Sequence, residues 1–476
     1  MKKLISLTLV IVMLMSLCAC GSSGGTDNTD GNPQTDDAAL QVGFGKVNIT
    51  PDYSVGLGGS GNDKIRRSTG LISYVFATCV AFKQSGELYL MYTVDTLSIN
   101  DDLADIIRQR IRAALPDLEL KAENIYLAAT HSHSCPTPYW PDENEGKYRT
   151  EFLNWLPQAA KLAIEDLAPA TMEATQFDLE GMNFVRHYIM NDGTYAGSNF
   201  GSTQSGYKEH TYEVDHEMIL VNFPREGKKD VLLVNWAAHP ANPYDPAIGY
   251  YNISADHPGW CRDKLEQLTG AQVAYFNGAS GDVVPNSKIT EINHGLNAKE
   301  YGERLAEMAY EHYGDLKPVE ITPLKTTTRD VELQVEHELE HLVAQCVEIK
   351  DLHVNQGLTD LANQKARELG LSSCFQASNI IARSKLGPTQ LREVNAIALG
   401  PIGFITITYE MASEHADELK AAAPFGTVFI MSGNQRYIPR EEAIDYRSYE
   451  GDTRHYTREA GDYMVSQFLE MLNEVK

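Results

Sequence analysis

Beyond Gln41 the chain alternates short apolar runs with amphipathic segments, and this alternation is what most narrows the folds open to it. Residues 77–82 and 88–93 read as strands, 102–114 as an amphipathic helix, and 125–129 as a strand again. A helix over 150–167 follows, then strands at 218–223 and 231–235, a helix after Pro258, and a strand at 272–276 that runs into a glycine-rich turn. The last third returns to strands at 396–399 and 404–409, and no internal repeat is evident. The pattern predicts an α/β fold: a mixed β-sheet core flanked by helices, in a single large domain over 41–476. One helical insertion is expected, because the charged, Leu- and Ala-studded segment 336–369 reads as one or two long helices, layered over the core or forming a lid beside the site.

Two of the strand-like runs end in histidine. Ala129-Thr130-His131-Ser132-His133-Ser134 follows one, and Asn235-Trp236-Ala237-Ala238-His239-Pro240 closes another. In an extended backbone alternate side chains share a face, so His131 and His133 are expected to look into one cavity, where one holds metal while the other shuttles protons. A competing motif, His337-Glu338-Leu339-Glu340-His341, matches the helical His-Glu-x-x-His of zinc proteases. Glu336 and Glu340 put charge where such a buried helix would be apolar, so this segment reads as a solvated helix start.

A formal charge of −25 repels phosphate backbones, which argues against nucleic-acid binding. Lys2 and Lys3 precede an apolar run from Leu4 to Leu17 that ends in Leu17-Cys18-Ala19-Cys20, a secretory leader too short to span a bilayer comfortably. The Leu-x-Ala-Cys ending resembles a bacterial lipobox, so 1–20 is expected to be a lipoprotein signal. Cys20 would be lipidated, anchoring the chain outside the cytoplasm at the cell membrane. Residues 21–40 have almost nothing to bury and read as a flexible tether with an r.m.s. span of roughly 25 Å. Five cysteines beyond the leader, without close pairing, indicate no disulfide framework. Cys135, two residues after His133, reads as a neighbour of the site.

Several motifs occur in order: Thr130-His131-Ser132-His133-Ser134, Asn235 to Pro240, Ile253-Ser254-Ala255-Asp256, Gly281-Asp282-Val283-Val284-Pro285-Asn286, Tyr409-Glu410 at a strand end, Tyr437-Ile438-Pro439-Arg440-Glu441-Glu442, and Tyr449-Glu450-Gly451. Together they resemble the catalytic domain of the neutral, non-lysosomal ceramidase family from about Gly43 to the C-terminus. The resemblance implies Zn2+ bound by His131, His239, Glu410 and Tyr437, an activated water, and His133 moving protons between that water and the leaving amine. It also implies that Arg186, in Asn183-Phe184-Val185-Arg186-His187-Tyr188, and Tyr449 hold substrate or stabilise the oxyanion. Asp282 is either a turn residue or a buried carboxylate that orients His239.

Departures from the family bear on substrate. Val284 stands where the family carries serine, which removes a serine nucleophile and reshapes the acyl side of the pocket. Cys135-Pro136-Thr137-Pro138 replaces a glycine-rich turn, and the family's C-terminal β-domain has no counterpart before Lys476. The expectation is a zinc-dependent amidohydrolase acting on a small-molecule or lipid substrate, with ceramide-like N-acyl lipids as first choice. Another amide or ester, such as an acylated amino sugar, is the second choice. A surface lipoprotein that binds ligand without catalysis is the third.

Overall fold

Many strands here are apolar at successive positions, the pattern of a sheet covered on both faces. Val231–Trp236 and Ile402–Ile407, for example, are buried along their whole length. The computed structural model describes residues 39–59, 66–139, 143–197, 205–241, 251–286, 296–433 and 436–476, and arranges their long strands in three sheets. The leader, Cys20 and nearly all of the tether lie outside the described residues. No helix among those described is long and apolar enough to cross a membrane.

The first sheet contains β1 (Gln41–Asn48), β2 (Phe76–Gln84), β3 (Glu87–Val94) and, after helix α1 (Asp101–Ala114), β4 (Ile125–Ala129), in the order β4-β3-β2-β1. Asn100 caps α1 by accepting a hydrogen bond from Leu103 N, with Asp101 and Asp102 in the first turn, so the helix starts where its dipole favours acid. Helix α2 (Glu143–Glu165) packs over β1. The second sheet runs β8-β7-β6-β5, from β5 (Glu173–Asp178), β6 (Glu217–Phe223), β7 (Val231–Trp236) and, after α3 (Asp256–Thr269), β8 (Gln272–Asn277). Helix α4 (Ala298–Glu311) packs beside α3.

The third sheet holds β9 (Lys325–Gln334) and, beyond helices α5 (Val343–Val354), α6 (Thr359–Glu368) and α7 (Cys374–Arg383), β10 (Thr389–Leu399) and β11 (Ile402–Ile407). Helix α8 (Ser413–Ala422) leads to its last strand, β12 (Thr427–Ser432), and α9 (Ala460–Val475) covers its outer face.

Each sheet ends in one parallel pair, β3/β4, β7/β8 and β11/β12, and each pair is joined by a crossover helix. One face of every sheet contributes to a shared core, with Phe82 and Tyr126 from the first, Val221 and Phe276 from the second, and Phe404 and Phe429 from the third. The opposite faces are covered by α1 and α2, by α3 and α4, and by α8 and α9. Asn235 joins two sheets: its Nδ2 donates to Phe276 O at 3.0 Å and Ile430 O at 2.8 Å, while Ile430 N donates to its Oδ1 at 3.2 Å. Those bonds satisfy backbone groups that a buried strand edge would leave unpaired. The mixed α/β core flanked by helices is thus as expected.

Two expectations are corrected, and the reading against the His337 motif holds. The segment 336–369, read as one or two long helices, holds two short ones, α5 and α6, and a third, α7, follows it to Arg383, the three enclosing a small core around Cys346, Ala366 and Ile380. The strand expected over 404–409 stops at Ile407, and Glu410–Met411 forms a separate two-residue strand paired with Tyr437–Ile438. Within the His337 to His341 motif, Leu339 has φ +70°, so no helix carries both histidines. His337 is tied to Glu340 and Gly387 O instead, and His341 is exposed.

Helix α2 lies so close to β1 that a Cβ on Gly43 would stand 2.0 Å from Ala163 O, and one on Gly45 2.1 Å from Ala159 O. Gly43→Ala must therefore push the helix off the sheet. It is expected to cost about 1–3 kcal/mol or more in a urea titration, whereas Gly146→Ala, in open space on α2, stays neutral or stabilises slightly. An unchanged midpoint for Gly43→Ala would contradict this packing.

Candidate functional site

The chain leaves β4 through a tight turn at His131, whose φ is +64°. Thr130 N donates to Val94 O and His131 N to Thr96 O, which anchors the turn on the end of β3. His131 and His133 do face one point, with ring centroids 5.1 Å apart, but through this turn and not through the strand alternation expected from the sequence. His239 arrives from the end of β7. Its backbone N donates to Val283 O at 2.8 Å and its Nδ1 to Ser280 O at 3.0 Å, so the Nε2 lone pair faces the other two rings.

His133 Nε2 lies 2.9 Å from His239 Nε2 and 3.4 Å from His131 Nε2. Burial, reinforced by the neighbouring His131, holds the His133 and His239 imidazoles well below their usual range, so both are neutral and offer lone pairs at neutral pH. Glu410 Oε2 lies 3.4 Å from His131 Nε2, is buried, and makes no hydrogen bond among the described residues. In the short parallel ladder Glu410 pairs directly with Tyr437. Burial and the Glu410 carboxylate raise the Tyr437 phenol, with Arg186 acting in the opposite sense.

This arrangement fits a metal ion. The three histidines present ligand atoms within 4.8 Å of one another. A buried carboxylate oxygen without a donor, beside crowded imidazole nitrogens, is costly unless a cation takes up the lone pairs. Neutral imidazole with carboxylate is also a donor set suited to zinc. His131, His133, Glu410, Tyr437 and Tyr449 border one cavity of about 270 Å³.

The remaining residues expected at the site surround it at different depths. Arg186 does not border that cavity: its Nε donates to Glu450 at 2.7 Å and its Nη2 to Gly281 O at 2.9 Å, with Tyr437 Oη 3.5 Å from Nη2. Glu450 also accepts from His187 Nε2 at 2.7 Å. Burial by itself would raise the Glu450 carboxyl, but Arg186 and His187 hold it well below the carboxylate range. Burial would likewise lower His187, and Glu450 raises it instead. Asp282 accepts from Tyr212 and from Ser413 N, and Ser280, not Asp282, orients His239. Burial raises the Asp282 carboxyl despite His187 and those two donors. Tyr449 is 49% exposed, with its ring 5.6 Å from that of Tyr437.

Val284 is 3% exposed and packs with Phe184 and Tyr188 away from the cavity, so it does not reshape this pocket as the sequence suggested. Cys135 is buried beside the site, with its Sγ 3.4 Å from Ser254 O and outside the histidine group. Sequence reasoning did not reach three other features. Phe375 and Asn379 on α7 wall the cavity, Arg436 borders it, and Glu450 was noted only as part of a motif. An Arg at φ +96° immediately before Tyr437 has no sequence signature; only the fold shows that position 436 faces inward.

Two solved structures share this fold. Neutral ceramidase from Pseudomonas aeruginosa matches with a TM-score of 0.69 over 92% of this chain and 74% of its own, at 16% identity. A ceramidase complexed with C2 matches with a TM-score of 0.68 over 92% of this chain and 75% of its own, also at 16% identity. The resemblance noted in the motifs is therefore borne out as one of fold. No protein-family model matches the chain, and no curated protein matches it by sequence.

Proposed function

We propose, from a fold shared with ceramidases and a histidine-carboxylate cluster that suits a metal, that this protein is a zinc-dependent hydrolase cleaving the amide bond of an N-acyl lipid. The observation that carries the reading is the convergence of the His131, His133 and His239 ligand atoms within 4.8 Å of one another, with the inner oxygen of Glu410, 3.4 Å from His131 Nε2, lacking a donor. His131, His239, Glu410 and Tyr437 hold the metal. When bound, zinc supplies a Lewis acid and makes water acidic enough to react near neutral pH.

His133, half-buried and bordering the cavity, takes a proton from the attacking water and delivers it to the leaving nitrogen. The water oxygen joins the acyl carbon as the C–N bond breaks, giving a carboxylic acid and an amine. Arg186, fixed by Glu450, steadies the Tyr437 hydroxyl, and Tyr449 is exposed enough to meet substrate. A lipid anchor at Cys20 and the tether would keep the domain near membrane-borne substrates outside the cytoplasm.

The test is elemental analysis of the purified protein together with hydrolysis of a fluorescent N-acylsphingosine. Near-stoichiometric zinc with amide cleavage is the expected result. Zinc without cleavage of that lipid would keep the hydrolase and redirect the search for substrate, and a protein that retains no metal would sink the reading.

A further inference from the structure

Arg436 differs from the arginines around it. Arg392 pairs with Asp101 at 2.5 Å, Arg454 with Glu336 at 3.0 Å, and Arg383 donates to the carbonyls of Arg454 and Glu338. Arg436 borders the 270 Å³ cavity, and its guanidinium has no ion pair or side-chain hydrogen bond among the described residues. Glu410, the acid nearest to hand, forms no ion pair with it within 4 Å and is committed to the metal in the reading above. The Arg436 backbone is held in place: Glu410 N donates to Arg436 O at 2.9 Å, and φ is +96°, a conformation strained for a residue other than glycine. A half-buried cation with five donors and no acceptor stabilises the protein poorly, yet it is well made for an anion entering from the cavity.

We propose that Arg436 determines specificity by seating an anionic group of the substrate, so that the preferred class is an N-acyl amide with a carboxylate, sulfonate or phosphate close to the scissile bond. Neutral N-acyl sphingoids are then secondary substrates. This rests on the hydrolase reading. The cavity shared by Arg436 and the histidines is about 270 Å³, below the roughly 300–1,000 Å³ of sites that enclose drug-sized ligands, so it suits a compact charged head more than two long chains. The chain's formal charge of −25 repels anions in general. A preference for one must therefore come from a local cation.

The experiment uses a matched series on the full protein loaded with zinc: N-lauroylglycine, N-lauroyltaurine and N-lauroyl phosphoethanolamine against neutral N-lauroylethanolamine. At least one anionic amide is expected to exceed the neutral one in kcat/KM by about 10- to 100-fold, the worth of charge-assisted hydrogen bonds. The three anions separate the chemical sources of the charge. In Arg436→Gln the anionic and neutral values should converge, while Arg436→Lys, which keeps charge without the planar fork, retains part of the preference. Equal wild-type values, or a preference that survives Arg436→Gln, would overturn the proposal.

If Arg436→Gln does not fold, the wild-type ratio and the lysine variant decide. If no amide is cleaved, the hydrolase reading fails separately. Calorimetric binding of N-lauroylglycine then decides the anion site, supported by binding that Arg436→Gln loses and overturned by binding that is absent or unchanged.

Discussion

His239→Ala should abolish both bound zinc and amide hydrolysis, with turnover reduced by at least about 1,000-fold, since Lewis-acid stabilisation is worth several kcal/mol and each tenfold in rate is about 1.4 kcal/mol. The side chain is buried and held in one orientation. Its Nδ1 is held by Ser280 O, which fixes the ring with Nε2 toward His131 and His133. His133→Gln makes the informative contrast. If His133 carries protons, the variant keeps its zinc while turnover falls by about 100- to 10,000-fold, and added zinc does not restore it. Loss of metal from His133→Gln would make this residue a ligand and remove its assigned role. Zinc content and single-turnover hydrolysis of both variants distinguish these outcomes.

Arg186→Met should be the most destabilising charge substitution near the site, at about 3–5 kcal/mol, because it strands the buried Glu450 carboxylate without its main partner. The same network sets a pH dependence. Glu450 has a depressed folded value, so its contribution is complete above the unfolded carboxyl value of about 4.3 and is lost as pH falls through the folded value. His187 has a raised folded value, so its contribution is complete below about 6.5 and is lost as pH rises through the folded value. The pair therefore stabilises most between roughly pH 4.5 and 6.5. Thermal unfolding across pH should show Glu450→Gln with a flatter acid limb than the wild type. Superimposable acid limbs would show that Glu450 does not carry this linkage.

Local patterns in the sequence reported local structure well. The strands before His131 and His239 and helix α1 lie within one residue of their expected bounds, because hydrophobic period and a capping Asn act over a few neighbours. The flanking glutamates also ruled correctly against the His337 motif, where Leu339 turns the chain. What local pattern does not carry is which sheet edges meet. Glu410 stands beside His131 because β11 and β4 belong to sheets that share a core, and Tyr437 reaches Glu410 through a two-residue ladder too short to leave a periodic signal. The same limit hid the close approach of α2 to Gly43 and the role of α7, since both depend on partners more than 100 residues away in sequence.

The three helices between β9 and β10 have a further consequence. They leave and rejoin the third sheet through strands that are direct antiparallel neighbours, with Gln334 opposite Thr389. An excursion rooted at such adjacent ends can lengthen, shrink or be exchanged at little entropic cost to the rest of the fold. Yet its last helix supplies Phe375 and Asn379 to the wall of a cavity also bordered by His131 and His133, which follow the last strand of the first sheet. Inheritance can thus act on the two walls separately: one lineage of changes retunes what enters, while the reactive groups descend unaltered.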